Sequence, residues 1–425
     1  MPNNSSKEKI MKINFIYPAV AFFLLQYTFA ISLKAQGISL DQAVQTALKN
    51  NLGIKSAEYQ IEYYKELKKA GTDIGKLSAA WMHGQYNTFY QDNNVTVTQT
   101  IPFPTTLSNQ VQLGKEQVVG AQQNLAVQKN NLAYEVKLGY YQLLYQTAVK
   151  KLLLSQDSLY SDFAKASSLR FKTGESNLLE KTTAETQLMD LRNLIQQNDA
   201  DILIQATRLQ ALLKNESLVF ASDLFVKRFL PQELDTARLN NNPSLKLLQQ
   251  DIVISNRFKR TERSRIMPDL MIGGFAQSLT GWTTNDQKID VYYPRSKVFT
   301  GWEIGLGIPL WIKPSIARAK AASYQEEVAR KNAQHYEVML SGNFQQALRE
   351  LDKANANTSY YENSALKNAD LLIAQARKAF RGGEIGYIEY LQALKNSNAI
   401  RSNYLQALLQ YNQAVIKIEF LLGKI

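Results

Sequence analysis

From Thr105 to Leu230 the chain runs 126 residues without a proline, and that stretch limits the possible fold more than any other. Proline costs about 3 kcal/mol in a helix interior, so a run this long and clean reads as helix. One break punctuates it, Arg170-Phe171-Lys172-Thr173-Gly174-Glu175-Ser176, with the glycine and small polar residues of a turn. The upstream arm, Leu107 to Arg170, would reach about 95 Å at 1.5 Å per residue. Helices of compact domains average about 11 to 12 residues, so no single globular core requires this one. The device returns after Pro314, the last proline, where Phe380-Arg381-Gly382-Gly383-Glu384-Ile385 interrupts a second run. Two very long helical hairpins in one chain imply a function that spans a distance.

Between the helical stretches the hydrophobic period changes from 3.6 to 2. Trp81 to Thr88 alternates, with Met82, Gly84 and Tyr86 on one face and His83, Gln85 and Asn87 on the other. Asp92-Asn93-Asn94 reads as the turn, Val95 to Ile101 alternates again, and Pro102-Phe103-Pro104 ends the hairpin. A second hairpin shows the pattern more clearly. Val298, Thr300, Trp302, Ile304, Leu306 and Ile308 share one face, and Phe299, Gly301, Glu303, Gly305 and Gly307 the other. An apolar face against a small and polar one is the signature of a strand between lipid and lumen. All four tryptophans, Trp81, Trp282, Trp302 and Trp311, fall in or beside the hairpins, as an interfacial aromatic belt would require. The belt is expected at Trp81, Tyr86, Trp302 and Trp311. Four strands cannot close a barrel, and an open edge in lipid leaves backbone groups unpaired. Several copies must therefore pool their hairpins.

The order of elements occurs twice. Leu48 to Lys55 lies over Leu239 to Lys246 at an offset of 191, and the endings Ile101-Pro102-Phe103 and Ile308-Pro309-Leu310 match at 207. The 16 additional residues are most simply a polar loop around Gly281–Ser296. The two turns match at 209. Self-similarity at one long period is an internal duplication. The expected fold is mostly α with a β-barrel part, in two tandem repeats, each a long coiled-coil hairpin plus a transmembrane β-hairpin. The first repeat covers 36–230, with strands at about 78–101 and a tip at 170–178. The second covers 231–425, with strands at about 268–308 and a tip at 379–387. Leu366, Ala369, Ile373, Ala376 and Phe380, and likewise Leu408, Tyr411, Val415, Ile418 and Leu422, are spaced as a coiled-coil seam.

The first 35 residues have the grammar of a signal peptide: Lys7, Lys9 and Lys12, the apolar run Ile13–Leu33, then Lys34-Ala35-Gln36 as a cleavage point. Pro18 and Gln26 weaken the alternative of a signal anchor. A hydrophobic content of 45% with a mean hydropathy of −0.29 argues against a polytopic helical membrane protein. The net charge of +12 raises the question of nucleic acid. Three of those charges belong to the leader, and the rest are scattered among acids with no dense basic block, which fits a solvated helix surface and no nucleic-acid partner. There is no cysteine, hence no disulfide framework, no thiolate metal site and no lipid on an N-terminal cysteine. Any membrane attachment must come from the fold. His83 and His335 are the only histidines, with no carboxylate pair, nucleophile or phosphate loop beside them. Met82, Met189, Met267, Met271 and Met339 do not cluster with them. Neither an enzyme, a cofactor nor a resident metal is expected, although metal ions as cargo stay open.

Taken together, Leu40–Gly53 and its echo Leu239–Leu245, the two Ile-Pro endings and the two tip sequences resemble the TolC-like outer membrane efflux proteins over about residues 38–424. The tips carry most of the likeness: Phe171-Lys172-Thr173-Gly174-Glu175 with Leu179, Glu180 and Ala184, and Phe380-Arg381-Gly382-Gly383-Glu384 with Ile388, Glu389 and Ala393. The resemblance implies a homotrimer whose twelve pooled strands form one barrel in outer-membrane lipid, continued by a helical tube through the periplasm. A mixed belt around the tube would hold Gln36–Ser39, Ser217–Glu233 and the C-terminal residues. It implies a passive duct for an inner-membrane pump of the resistance–nodulation–division type and its periplasmic adaptor, or membrane fusion protein. Those partners would dock at Phe171, Lys172, Gly174, Glu175, Phe380, Arg381, Gly382, Gly383 and Glu384. Some members ring the mouth with acids six and nine positions after the turn glycine. Here Glu389 and Glu180 hold the first place, while Gln392 and Thr183 hold the second, so one acid is missing from each tip. Heavy-metal or other cation export is the favoured cargo, with drug efflux and type I protein secretion open. A soluble periplasmic coiled-coil adaptor is the competing reading; it would share the helices without the alternating strands.

Overall fold

The computed structural model describes residues 36–229 and 236–424; the expected leader and residues 230–233 of the expected belt lie outside them. In chain order the elements are β1 (Gln36–Ile38), α1 (Leu40–Asn50), α2 (Leu52–Lys69), β2 (Leu77–Gly84), β3 (Asp92–Ile101), α3 (Pro104–Lys172), α4 (Leu178–Leu213) and β4 (Val219–Ala221). There follow α5 (Pro243–Ser264), β5 (Asp269–Ser278), β6 (Gly281–Thr284), β7 (Asp290–Tyr293), β8 (Val298–Gly307), α6 (Lys313–Tyr360), α7 (Leu366–Arg381) and α8 (Tyr387–Leu421). The molecule is mostly helical, with a minority of sheet. Among the described residues no helix is long and apolar enough to cross a membrane.

Local chemistry sets the helix ends. Ser39 caps α1, and Gln42 returns the bond in a capping box. Asn51, Asn177 and Asn242 cap α2, α4 and α5 through their side-chain oxygens. Proline stands in the first turn of α3, α5 and α6, where its missing N–H costs nothing. The 69 residues of α3 run uninterrupted for about 100 Å. The second long run does not: a π-helical turn at Tyr361–Ala365 separates α6 from α7, where the sequence reads as one helix.

Three cores lie along the rod. Near its middle, Tyr140 and Leu143 of α3 meet Leu209 of α4 and Ile416 of α8. Beside them, Leu245, Phe344, Val415 and Ile418 join α5, α6 and α8. At the far end, Phe163, Leu191, Phe380 and Leu394 join both hairpins. Ala369, Ala376 and Phe380 on α7, and Leu408, Tyr411, Val415, Ile418 and Leu422 at and beyond α8, are buried as a seam requires. At the middle core β1 pairs in parallel with β4, and the Tyr140 hydroxyl donates to the Ile38 carbonyl at 2.8 Å. The extended segment after β4 is pinned by a buried carboxylate. Glu419 takes Lys137 Nζ at 2.9 Å and Arg228 Nε at 2.9 Å, while Asn412 bonds the backbone of Val226 and Arg228.

The two β-hairpins form one antiparallel sheet of four strands in the order β2-β3-β5-β8. Cross-strand partners such as Trp81–Val95, Val97–Gly274 and Gly274–Trp302 fix which side chains share a face. One face carries Leu77, Trp81, Val95, Val97, Ile272, Trp302, Ile304 and Leu306; the other carries threonines, glycines, Met82, Met271, Phe275 and Glu303. Two expectations need correcting. Asp92-Asn93-Asn94 is the start of β3 and not the turn, because the buried Asp92 carboxylate collects the Thr88 and Ser278 hydroxyls and the Thr280 N–H. The chain instead reverses over residues 85–91. The segment around Gly281–Ser296 is also no irregular loop: β6 and β7 pair as a ribbon, with Trp282 and Tyr90 packed against Tyr292.

Candidate functional sites at the two ends of α3

The sheet stands at the N-terminal end of α3 and the hairpin turns at its C-terminal end. Both turns close by the same geometry. Gly174 and Gly383 have φ of 79° and 74°, a left-handed conformation that glycine adopts without steric cost. Glu175 N–H donates to the Arg170 carbonyl at 2.8 Å and Glu384 N–H to the Ala379 carbonyl at 2.9 Å. Gly174 and Gly383 donate to Phe171 and Phe380 at 3.2 Å, completing a Schellman motif at each tip.

The side chains at matched positions diverge. Phe171 is exposed and carries Lys181 over its ring. Phe380 is buried: it stacks on Tyr390 at 4.6 Å between ring centroids and meets Phe163 edge-on at 5.6 Å. It therefore departs from the expected docking set, because the aromatic cluster between the hairpins has taken it. Lys172, Gly174, Glu175, Arg381, Gly382, Gly383 and Glu384 are exposed. The glutamates divide likewise. Glu180 is 4% exposed and accepts from Ser167 Oγ at 3.2 Å and Arg170 at 3.3 Å; it faces into its own hairpin. Glu389 is exposed, with one oxygen taking the Gly386 N–H at 2.6 Å, and Gln392 beside it is exposed and bonded to Asn396.

Between the two hairpins at the tip lies a groove of about 600 Å³, lined by Asp162, Lys165, Arg170, Arg377 and Arg381. Asp162 reaches Arg377 at 3.5 Å and Arg381 at 4.0 Å, a clasp from the first hairpin to the second. Burial raises the Tyr390 hydroxyl above its ordinary 10.0, with Arg377 opposing the shift. Sequence reading missed Asp162, Phe163, Arg377 and Tyr390. The only local signal was Arg377 and Arg381 one helical turn apart; their partner is over two hundred residues away.

At the other end, Trp81 and Trp302 project from the same apolar face, exposed at 68% and 78%, and Trp311 follows β8 at 87%. Tyr86 lies in the bend beyond β2, off the strand on which it was expected. His83 bonds Asn93 and Arg295, and His335 is exposed on α6. Among the described residues no group of three acids and histidines could hold a metal ion.

Residues 236–424 match the family described as outer membrane efflux protein. The cobalt-zinc-cadmium resistance protein CzcC of Cupriavidus metallidurans is 23% identical over 309 residues, 72% of this chain and 70% of that one. The fold superposes on the CusC channel with a TM-score of 0.75 at 16% identity, covering 91% of this chain and 92% of that one. The CmeC outer membrane channel of Campylobacter jejuni gives 0.73 at 14%, covering 100% and 94%. The chain thus shares its fold along most of its length with those channels, and its residues 236–424 match the outer membrane efflux protein family.

Proposed function

We propose that three copies of this chain make one passive exit duct, with twelve strands in the outer membrane and the paired helices as a tube in the periplasm. The open sheet carries this reading. Its edges, β2 and β8, have no partner strand among the described residues, and its apolar face is exposed to solvent in the single chain. Backbone edges and an apolar face together require a closed ring in lipid. Closing the ring from copies joins β8 of one to β2 of the next and leaves the threonine, glycine and Glu303 face inside.

In this arrangement the two tip turns form the periplasmic mouth, and Arg381, Glu384, Lys172 and Glu175 are the exposed side chains there that would meet an adaptor and an inner-membrane pump. Glu389 is the mouth acid, since Glu180 is occupied within its hairpin. Three Glu389 copies at a constriction would draw cations, and a likeness to a protein named for cobalt, zinc and cadmium resistance supports divalent cations as the cargo class.

Detergent-extracted protein should migrate as a trimer unless heated and should conduct in planar bilayers. A water-soluble monomer that forms no pores would overturn the proposal. Divalent cations should block the wild-type pore more than the Glu389→Ala pore; unchanged block would remove Glu389 from the mouth while leaving the duct.

A further inference from the structure

The net charge of the chain is not spread evenly over the folded molecule. Take the eleven residues flanking each long strand on its helical side: 66–76, 102–112, 258–268 and 308–318. They hold nine cations, Lys68, Lys69, Lys76, Lys259, Arg260, Arg263, Arg265, Lys313 and Arg318, against the three acids Glu66, Asp73 and Glu262. That surplus of six is half of the chain's +12. The opposite rim has little: residues 85–91 carry no charge, and 279–297 carry three cations and two acids.

Folding brings these stretches together. Gly71 at the end of α2 lies against Gln110 of α3. Thr106 and Asn109 of α3 bond the Ser264 and Arg260 carbonyls of α5. Arg318 of α6 reaches Glu262 of α5 at 3.7 Å. The ends of α2, α3, α5 and α6 thus stand side by side under the sheet. Lys76, Arg260, Arg263 and Lys313, with Lys320 two residues beyond the last window, are exposed and make no side-chain bond or ion pair among the described residues. Exposed apolar side chains lie among them: Ile74, Met267, Trp311 and Ile316.

We propose that this basic collar binds the phosphate headgroups of anionic phospholipid in the leaflet nearest the helices. The inference rests on the membrane reading of the sheet and adds its lipid class and side. Cations mixed with a tryptophan and aliphatic residues at the foot of a lipid-facing sheet match the headgroup layer in charge and in depth. The collar also continues the apolar face directly.

The test uses the full chain purified in detergent micelles doped with phosphatidylglycerol or phosphatidylcholine. Lipid retained per protein is measured by mass spectrometry for the wild type and for Lys76→Gln/Arg263→Gln/Lys313→Gln/Lys320→Gln. Wild type should retain phosphatidylglycerol in preference, less so at high salt. The fourfold variant should lose at least about tenfold of that preference while conducting in planar bilayers as before. Equal retention of the two lipids, or a preference that survives the substitutions in a conducting variant, overturns the collar. A wild type that neither oligomerises nor conducts fails earlier, and overturns the membrane reading on which the collar rests.

Discussion

The two tip turns close with the same backbone hydrogen bonds, yet their matched side chains do opposite things. In the first turn the phenylalanine is outside and the glutamate inside; in the second the phenylalanine is inside and the glutamate outside. The first tip is held by a buried carboxylate, Glu180, with Ser167 and Arg170 around it. The second is held by an aromatic stack, Phe380 on Tyr390 with Phe163. Because Phe163 belongs to the first hairpin, the stack also joins the two. A backbone motif therefore fixes where a chain turns, and leaves open what the turn offers to a neighbour.

The largest contrast should come from the phenylalanines. Phe380→Ala removes a buried ring from a packed cluster, at about 3 to 5 kcal/mol. Phe171→Ala removes an exposed ring and one contact with a lysine, at under about 1 kcal/mol. Hydrogen exchange of the amides in the two turns reads both, and equal losses would end the distinction. The glutamates should rank the other way. Glu180→Ala strands Ser167 and Arg170 and should cost about 2 to 3 kcal/mol, seen as faster proteolysis over residues 173–178. Glu389→Ala removes a helix cap worth about 1 kcal/mol, so cleavage over 382–387 should change little. Matching rates in the two variants would show that burial of Glu180 does not matter. The smallest effect belongs to Asp162→Ala. Its ion pairs with Arg377 and Arg381 are half exposed and worth under about 1 kcal/mol. Exchange at the second tip should speed up with salt in the wild type and lose that dependence in the variant; an unaltered salt response would discount the clasp.

The reach of the helices and the position of each turn were legible because their signals are local: a proline-free run, a glycine after the last turn, an asparagine or serine at the cap. The alternation of β8 was legible for the same reason. What a residue faces was not. Phe171 and Phe380 look alike in their motifs, and only a partner more than two hundred positions from the second, Phe163, separates them. Asp92 reads as a turn residue until Ser278 and Thr280 are placed beside it. The collar was hidden in the same way, since its cations sit in stretches separated by nearly two hundred residues and each stretch alone is an ordinary charged helix end. Local chemistry determines the elements; their surroundings depend on pairs that no window of sequence contains.

The unpaired outer strands have a genetic consequence. On the three-copy arrangement each wall segment is completed by its two neighbours, so one faulty copy spoils a whole ring. Co-expressing a variant that folds but cannot conduct, in equal amount with the normal chain, should leave about one ring in eight intact. Conductance per chain would fall far below half, a dominant defect arising from geometry alone.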